Sequence, residues 1–145
     1  MELVSSYPAT EVAWIAPQPP HRRRVHRVTV LGSGSALPPR IVDNAYFVEQ
    51  LGLDTTATWI EQRTGIRQRR HVESGVHVSE LAAQAARQAL DRAGLAAEQV
   101  DLIIVATSTP DYVMPSTACL VQQRLGAGRA TAFDLCNGCA GFAYA

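Results

Sequence analysis

"AFDLCNGCAGFAYA", Ala132–Ala145, is the stretch on which the reading of this chain turns. Its apolar start continues a strand pattern, "ATAFDL", Asn137-Gly138 reads as a turn, and "CAGFAYA" reads as the start of a helix. Cys136 and Cys139 stand in a C-x-x-C spacing across that turn. Three chemistries compete for the pair. A zinc site takes four ligands, usually as two pairs. Here there is one pair, the remaining thiol Cys119 lies inside a helical pattern, and the histidines His21, His26, His71 and His77 lack ligand spacing. The pattern therefore argues against zinc.

A thioredoxin-type redox pair is a closer competitor, because it too sits where a strand meets a helix. In that motif the first cysteine starts the helix, whereas the Asn137-Gly138 turn here delays the helix to the neighbourhood of Cys139. The third reading makes Cys139 a single nucleophile on a strand–turn–helix elbow, the geometry that serves the serine of hydrolases. A helix N-terminus favours a thiolate there, and backbone N–H groups at the turn can hold an oxyanion. Gly138, Ala140 and Gly141 leave room for a substrate chain. Two inert core thiols also fit the local pattern.

Upstream, the elements alternate. "VDLIIVATST" carries an apolar run, Leu102 to Ala106, expected as a strand buried on both faces. "PSTACLVQQRLGAG" reads as a helix opened by Pro115 and Ser116 and closed by Gly126. "SELAAQAARQALDRAGL" is the clearest helix, with Ser79 as N-cap, Glu80 in the first turn and Gly94 at the C-terminal end. Its alanine face, Leu81, Ala85, Ala89 and Ala93, implies close packing on a sheet or another helix.

Earlier still, Val28-Thr29-Val30-Leu31 is expected as a strand that breaks at Gly32-Ser33-Gly34. The third glycine of a dinucleotide fingerprint is missing and Pro38-Pro39 follows, so these glycines are expected to serve a turn. Asp43 or Asn44 is expected to cap "AYFVEQLGL", and Thr55 or Thr56 to cap "TATWIEQRTG". The strand–helix alternation predicts parallel βαβ units in a layered α/β fold.

Residues 1–24 differ: "YPATEVAWIAPQPPHRRR" has no period and is expected to be a flexible leader, with 25–145 as one domain. The "HRRRVHR" cluster reads as a solvated charge run. Thirteen basic residues balance thirteen acidic ones, which gives no basic excess for nucleic acid. No apolar run reaches bilayer length, and no signal-peptide core is present. Three cysteines, an odd count, argue against a secreted disulfide framework and set the expectation of a reducing, cytoplasmic location.

Four blocks in order carry a resemblance: "GSGSALPPRIVDNA", "TWIEQRTGIRQRRHV", "VATSTPDYVMPSTACLVQQRLG" and "FDLCNGCAGFAYA". Together they resemble β-ketoacyl-acyl carrier protein synthase III of the thiolase superfamily, over about Val28 to Ala145. The resemblance implies the N-terminal half of a thiolase-like fold, a layered mixed sheet with βαβ units. It implies that Cys139 takes an acyl group from acyl-CoA as a thioester. Malonyl carrier protein then loses carbon dioxide and attacks that thioester, a decarboxylative Claisen condensation that starts fatty-acid or polyketide synthesis.

By the same resemblance the Cys139 N–H belongs to an oxyanion hole, Trp59 and Arg63 sandwich the CoA adenine, and Thr55 makes a neighbouring contact. Met114 falls where the family usually has Phe and where one subunit lines its partner's acyl pocket, with Ser108 nearby. Methionine there implies a softer, more adaptable lining. Cys136 and Gly138 replace residues that are usually alanine, and Cys136 is placed to form a disulfide with Cys139 on oxidation.

No permanently bound cofactor or metal is implied; acyl-CoA is a substrate. The implied partners are acyl carrier protein and either a second copy of the chain or a complementary C-terminal half. The family's catalytic histidine and asparagine lie in that second half, so condensation is not expected from this chain alone. Three other readings stay open: a relative passing the acyl group to an alcohol or amine, a thiol–disulfide protein using Cys136 and Cys139, and a non-catalytic pairing module.

Overall fold

The computed structural model describes residues 27–145, so the expected leader at 1–24 lies outside the described residues. Within them the elements run β1 (Arg40–Asp43), a π-helical turn (Tyr46–Gln50), α1 (Ala57–Thr64), β2 (Gln68–His71) and α2 (Val78–Ala93). They continue as β3 (Leu102–Ala106), α3 (Thr117–Leu125), β4 (Thr131–Leu135) and α4 (Gly141–Tyr144).

The expected βαβ unit is present. β3 and β4 are parallel, in register from Leu102 opposite Thr131 to Ala106 opposite Leu135, with α3 as the crossover. The α3 ends form where the letters place them: the Ser116 side chain accepts from the Cys119 N–H, and Gly126 closes the helix in the left-handed region at φ 77°. Helix α3 packs on both strands, and α2 packs on α3. The core between these layers is built from small side chains, with Ala83, Ala118, Val121 and Ala127 buried. Short residues let the backbones approach closely, at the cost of less apolar area per residue.

Two polar residues, Ser79 and Thr117, are fully buried in the same core. Burying a hydroxyl is tolerated when its hydrogen bonds are made. The Ser79 Oγ accepts from Arg124 Nε at 3.2 Å, and the Thr117 Oγ1 accepts from the Asp111 N–H at 3.1 Å. Ser79 is the expected cap of α2, but the helix begins at Val78 with His77 in the cap position, two residues earlier, and Ser79 lies inside it. The reason is Asp111, whose carboxylate reaches in from the β3–α3 loop to accept the Ser79 N–H at 3.2–3.3 Å. That carboxylate satisfies an orphan donor of the first turn from outside the helix.

Strand β3 is not buried on both faces: Leu102 is 49% exposed, because among the described residues only β4 pairs with β3. A larger correction concerns Val28–Leu31, which joins no ladder among the described residues; Val28 and Val30 are 88% and 86% exposed. The chain that follows lies along α2. A Cβ on Gly32 would fall on the Ala89 carbonyl oxygen and on Ala93, and one on Gly34 on the Ala85 carbonyl and the Ala89 nitrogen. These two glycines therefore serve close backbone approach and not a turn. Arg92 Nη1 donates to the Ser33 carbonyl at 2.7 Å and the Ser35 N–H donates to Gln88 Oε1 at 3.3 Å, so α2 side chains take hydrogen bonds that a sheet neighbour would otherwise take.

The remaining strands, β1 and β2, pair antiparallel as a separate two-stranded ribbon, from Arg40 opposite His71 to Asp43 opposite Gln68. Their short, charged sequences carry no strand signal. Asp43 Oδ1 accepts the Tyr46 N–H at 3.0 Å from two residues ahead of Ala45, which holds the N-cap position of the π-helical turn. Asn44, the alternative cap, is buried instead, donating to the Ile66 carbonyl at 2.8 Å and accepting from Arg69 Nη1 at 2.7 Å. Thr56, not Thr55, caps α1 through the Trp59 N–H, and Gly65 ends it at φ 70°. No helix of the described residues is long and apolar enough to cross a membrane.

Candidate active site at the ends of the parallel strands

Parallel strands point their carboxyl ends to one edge of a sheet, where ligands of open α/β sheets bind. At this edge β3 runs into Thr107 and Ser108, and β4 runs into Cys136, Asn137, Gly138 and Cys139. The Thr107 N–H donates to the Leu135 carbonyl at 3.2 Å, carrying the pairing one step beyond the strands. Ser108 and the Cys136–Cys139 turn thus leave the sheet side by side.

The turn is set by two glycines. Gly138 takes φ 49°, a left-handed conformation that costs a side-chain-bearing residue about 1–2 kcal/mol. Gly141 is buried, and a Cβ there would sit 3.3 Å from the Ala106 Cβ. Its lack of a side chain lets the turn settle on the end of β3. Between them Cys139 lies in a 3₁₀ turn, Gly138–Ala140, with the single turn of α4 beyond it. Cys139 and Cys136 are both exposed free thiols, whereas Cys119 is half-buried, with its Sγ 3.1 Å from the Ser116 Oγ.

Asp134, two residues before Cys136, anchors this edge from below. Its two carboxylate oxygens accept the Thr117 and Ala118 N–H groups at 2.7 Å each, joining β4 to the start of α3. These are short, charge-assisted bonds. The sequence does not single out Asp134, and Gly141, expected to leave room for a substrate chain, makes room for Ala106 instead. A charged residue inside an apolar strand pattern was the available signal for Asp134.

Met114 stands on the β3–α3 loop, preceding Pro115 across a cis peptide bond, and is 85% exposed beside the exposed Val113 and Tyr112. The loop is held at one end by Asp111, through Ser79 and Thr117. His77, at the start of α2, faces Tyr112 with ring centroids 5.9 Å apart, and His71 packs against Tyr46 and Phe47. Among the described residues no group of three His, Cys, Asp or Glu could hold a metal ion.

The second set of expected residues lies on α1 and its entry. Trp59 is 53% exposed, and the Arg63 guanidinium lies over its ring at 5.9 Å from the centroid, one helical turn on. Asp54, Thr55, Thr56 and Trp59 line an open cavity of about 420 Å³. The structure therefore brings Thr55 and Trp59 to one depression and Ser108 and Cys139 to one sheet edge. Cys139 does not line the Trp59 cavity.

No family model matches this chain. Across 119 residues it is 56% identical to a β-ketoacyl-[acyl-carrier-protein] synthase III of Bordetella petrii, a match over 80% of this chain and 36% of that relative. Among solved structures, the 3-oxoacyl-[acyl-carrier-protein] synthase III of Aquifex aeolicus superimposes with a TM-score of 0.72 at 44% identity, over 79% of this chain and 36% of that one. The priming β-ketosynthase of the R1128 polyketide pathway gives 0.73 at 39% identity, over 79% and 34%. The chain thus spans about a third of the length of these relatives. The resemblance carried by the four sequence blocks holds, and the fold is the N-terminal part of the thiolase-type fold of these enzymes.

Proposed function

From a chain that matches about a third of β-ketoacyl-acyl carrier protein synthase III in sequence and fold, we propose the acyl-loading part of an enzyme that starts fatty-acid or polyketide chains. Cys139 is the acyl acceptor. The observation that supports this most directly is its placement: an exposed thiol on a glycine-set turn at the carboxyl end of a parallel strand. Attack of its sulfur on the acyl-CoA carbonyl forms a tetrahedral oxyanion, to which the Cys139 N–H donates. Collapse expels CoA thiol and leaves an acyl thioester on Cys139, a nearly isoenergetic exchange of one thioester for another.

Trp59, Arg63 and Thr55 hold the nucleotide end of CoA in this reading. Arg63 covers the Trp59 face in the structure, so it swings aside to admit the adenine and then stacks on its far side. Ser108 and Met114 border the acyl chain. Decarboxylation of a malonyl group on acyl carrier protein and the condensation that follows need further residues, supplied in this reading by a second copy of the chain or a complementary C-terminal half.

The test is incubation of the full protein with isotopically labelled short acyl-CoAs, followed by intact mass measurement. One acyl adduct is expected, retained in Cys136→Ser and lost in Cys139→Ser. Absence of an adduct with every acyl-CoA, or its retention in Cys139→Ser, overturns the assignment.

A further inference from the structure

The acyl-loading reading gives Cys136 no task, although it is exposed three residues from the nucleophile. We propose that Cys136 is a resolving thiol for Cys139, so that exposure to a hydroperoxide closes a Cys136–Cys139 disulfide that silences the nucleophile reversibly. The inference rests on Cys139 being the acyl acceptor.

Three observations carry it. The two thiols that share the turn are both exposed, while the third cysteine, Cys119, is half-buried on α3 and in contact with Ser116 and with the Ala132 carbonyl. Cys136 is the first residue beyond β4, so the strand holds it in place, whereas Cys139 is carried by the short turn Gly138–Ala140. The hinge between them is Asn137-Gly138, and among the described residues nothing lies within 4 Å of where a Gly138 side chain would be, so that side of the turn is open. A disulfide wants its Cα atoms about 4.4–6.8 Å apart. Two intervening residues reach that span by backbone rotation that gives up only turn hydrogen bonds, from the Ala140 N–H to the Asn137 carbonyl at 3.2 Å and from the Gly141 N–H to the Gly138 carbonyl, and leaves the β4 ladder seated.

The chemistry balances. The Cys139 thiolate attacks one peroxide oxygen, the O–O bond breaks and hydroxide (or alkoxide) leaves, giving a sulfenic acid. The Cys136 thiolate then attacks that sulfur, the S–O bond breaks and water is released after proton uptake, leaving the disulfide. Two thiols and one hydroperoxide yield one disulfide, one water and one water or alcohol. A dithiol reductant reverses it by exchange. An accessible thiol beside a resolving partner is the arrangement that diverts a sulfenic acid from irreversible oxidation. The sulfur in an acyl thioester is not a thiolate, so acyl loading and disulfide formation exclude one another.

The test uses the full protein, hydrogen peroxide, alkylation of the remaining free thiols and peptide mass mapping. The peptide carrying both cysteines is expected to lose two hydrogens, with Cys119 alkylated. Acyl uptake should fall in proportion to the disulfide fraction and return fully with dithiothreitol. Preloading with acyl-CoA should prevent the change. In Cys136→Ser the same peroxide should carry Cys139 to the sulfinic acid, and dithiothreitol should no longer restore acyl uptake. Alkylatable Cys136 after oxidation of the wild type, or equally irreversible loss in wild type and Cys136→Ser, overturns the proposal. Failure of the reduced wild-type protein to take any acyl group would instead overturn the acyl-acceptor reading, because the disulfide map does not depend on it.

Discussion

The α2–α3–β3–β4 layer and the α1–β1–β2 region are held by different physics. In the first, small residues are sealed against one another: Ala83, Ala118, Ser79 and Thr117 are at or near zero exposure, and Gly32 and Gly34 lie directly on the α2 backbone. In the second, Val42, Asn44 and Ile60 are the buried residues, and three arginines lie over aromatic rings. The Arg69 guanidinium sits 4.7 Å from the Phe47 centroid, Arg40 5.3 Å from Tyr46, and Arg63 5.9 Å from Trp59. Tight packing fixes the sheet edge from which the Cys136–Cys139 turn departs, while the turn itself stays exposed. An exposed aromatic–arginine surface suits a flat polar ligand that arrives from water.

If that contrast is right, an added side chain should be most damaging on the tight side. Gly34→Val would drive a Cβ into the Ala85 carbonyl and the Ala89 nitrogen, where the obstacles are helix backbone and have no rotamer to change. A loss of about 3 kcal/mol or more is expected, at the top of the overpacking range. Urea unfolding should show it as a fall in midpoint at unchanged slope. An unchanged midpoint would mean that the segment 32–34 does not pack on α2.

Asp134→Ala is the next largest. It leaves the Thr117 and Ala118 N–H groups of α3 without the carboxylate that accepts them at 2.7 Å. A loss of about 2–3 kcal/mol is expected from two charge-assisted bonds at a helix start. Because Asp134 lies two residues before Cys136, acyl uptake should slow as well. Asp134→Asn, which keeps one acceptor oxygen, should recover part of both.

How far these contacts were legible differs within each region. Helix ends at Thr56, Gly94, Ser116 and Gly126 were readable because capping is local: one residue type satisfies donors or acceptors three or four positions away. The role of Gly32 and Gly34 is not legible, because a glycine needed for close approach looks the same in a sequence as one needed for a turn. Ser79 looks like a cap in the sequence because the carboxylate that accepts its N–H, on Asp111, is thirty-two residues away. Strands β1 and β2 were missed because four-residue segments with one buried side chain, Val42, carry no period. At the candidate site, the turn around Cys139 was readable from Asn137-Gly138, whereas Gly141 depends on Ala106, which lies across the sheet edge.

The smallest effect on stability should come with a clear effect on binding, and Trp59 separates the two. Its ring is half-exposed and its main partner is an exposed arginine, so Trp59→Ala should change unfolding free energy by only about 0.5 kcal/mol. If the indole stacks on the CoA adenine, the same variant loses an interaction that is equal in the ground and transition states. KM for acyl-CoA should then rise about tenfold, worth about 1.4 kcal/mol, with kcat unchanged. Trp59→Phe keeps a stacking face and should recover part of the loss. The decisive control is an acyl thioester of a short thiol without the nucleotide, on which Trp59→Ala should have no effect. Equal impairment with both substrates would show that Trp59 serves the fold of α1 and not the nucleotide. It would also remove the functional half of the contrast between the two regions, leaving only the difference in packing.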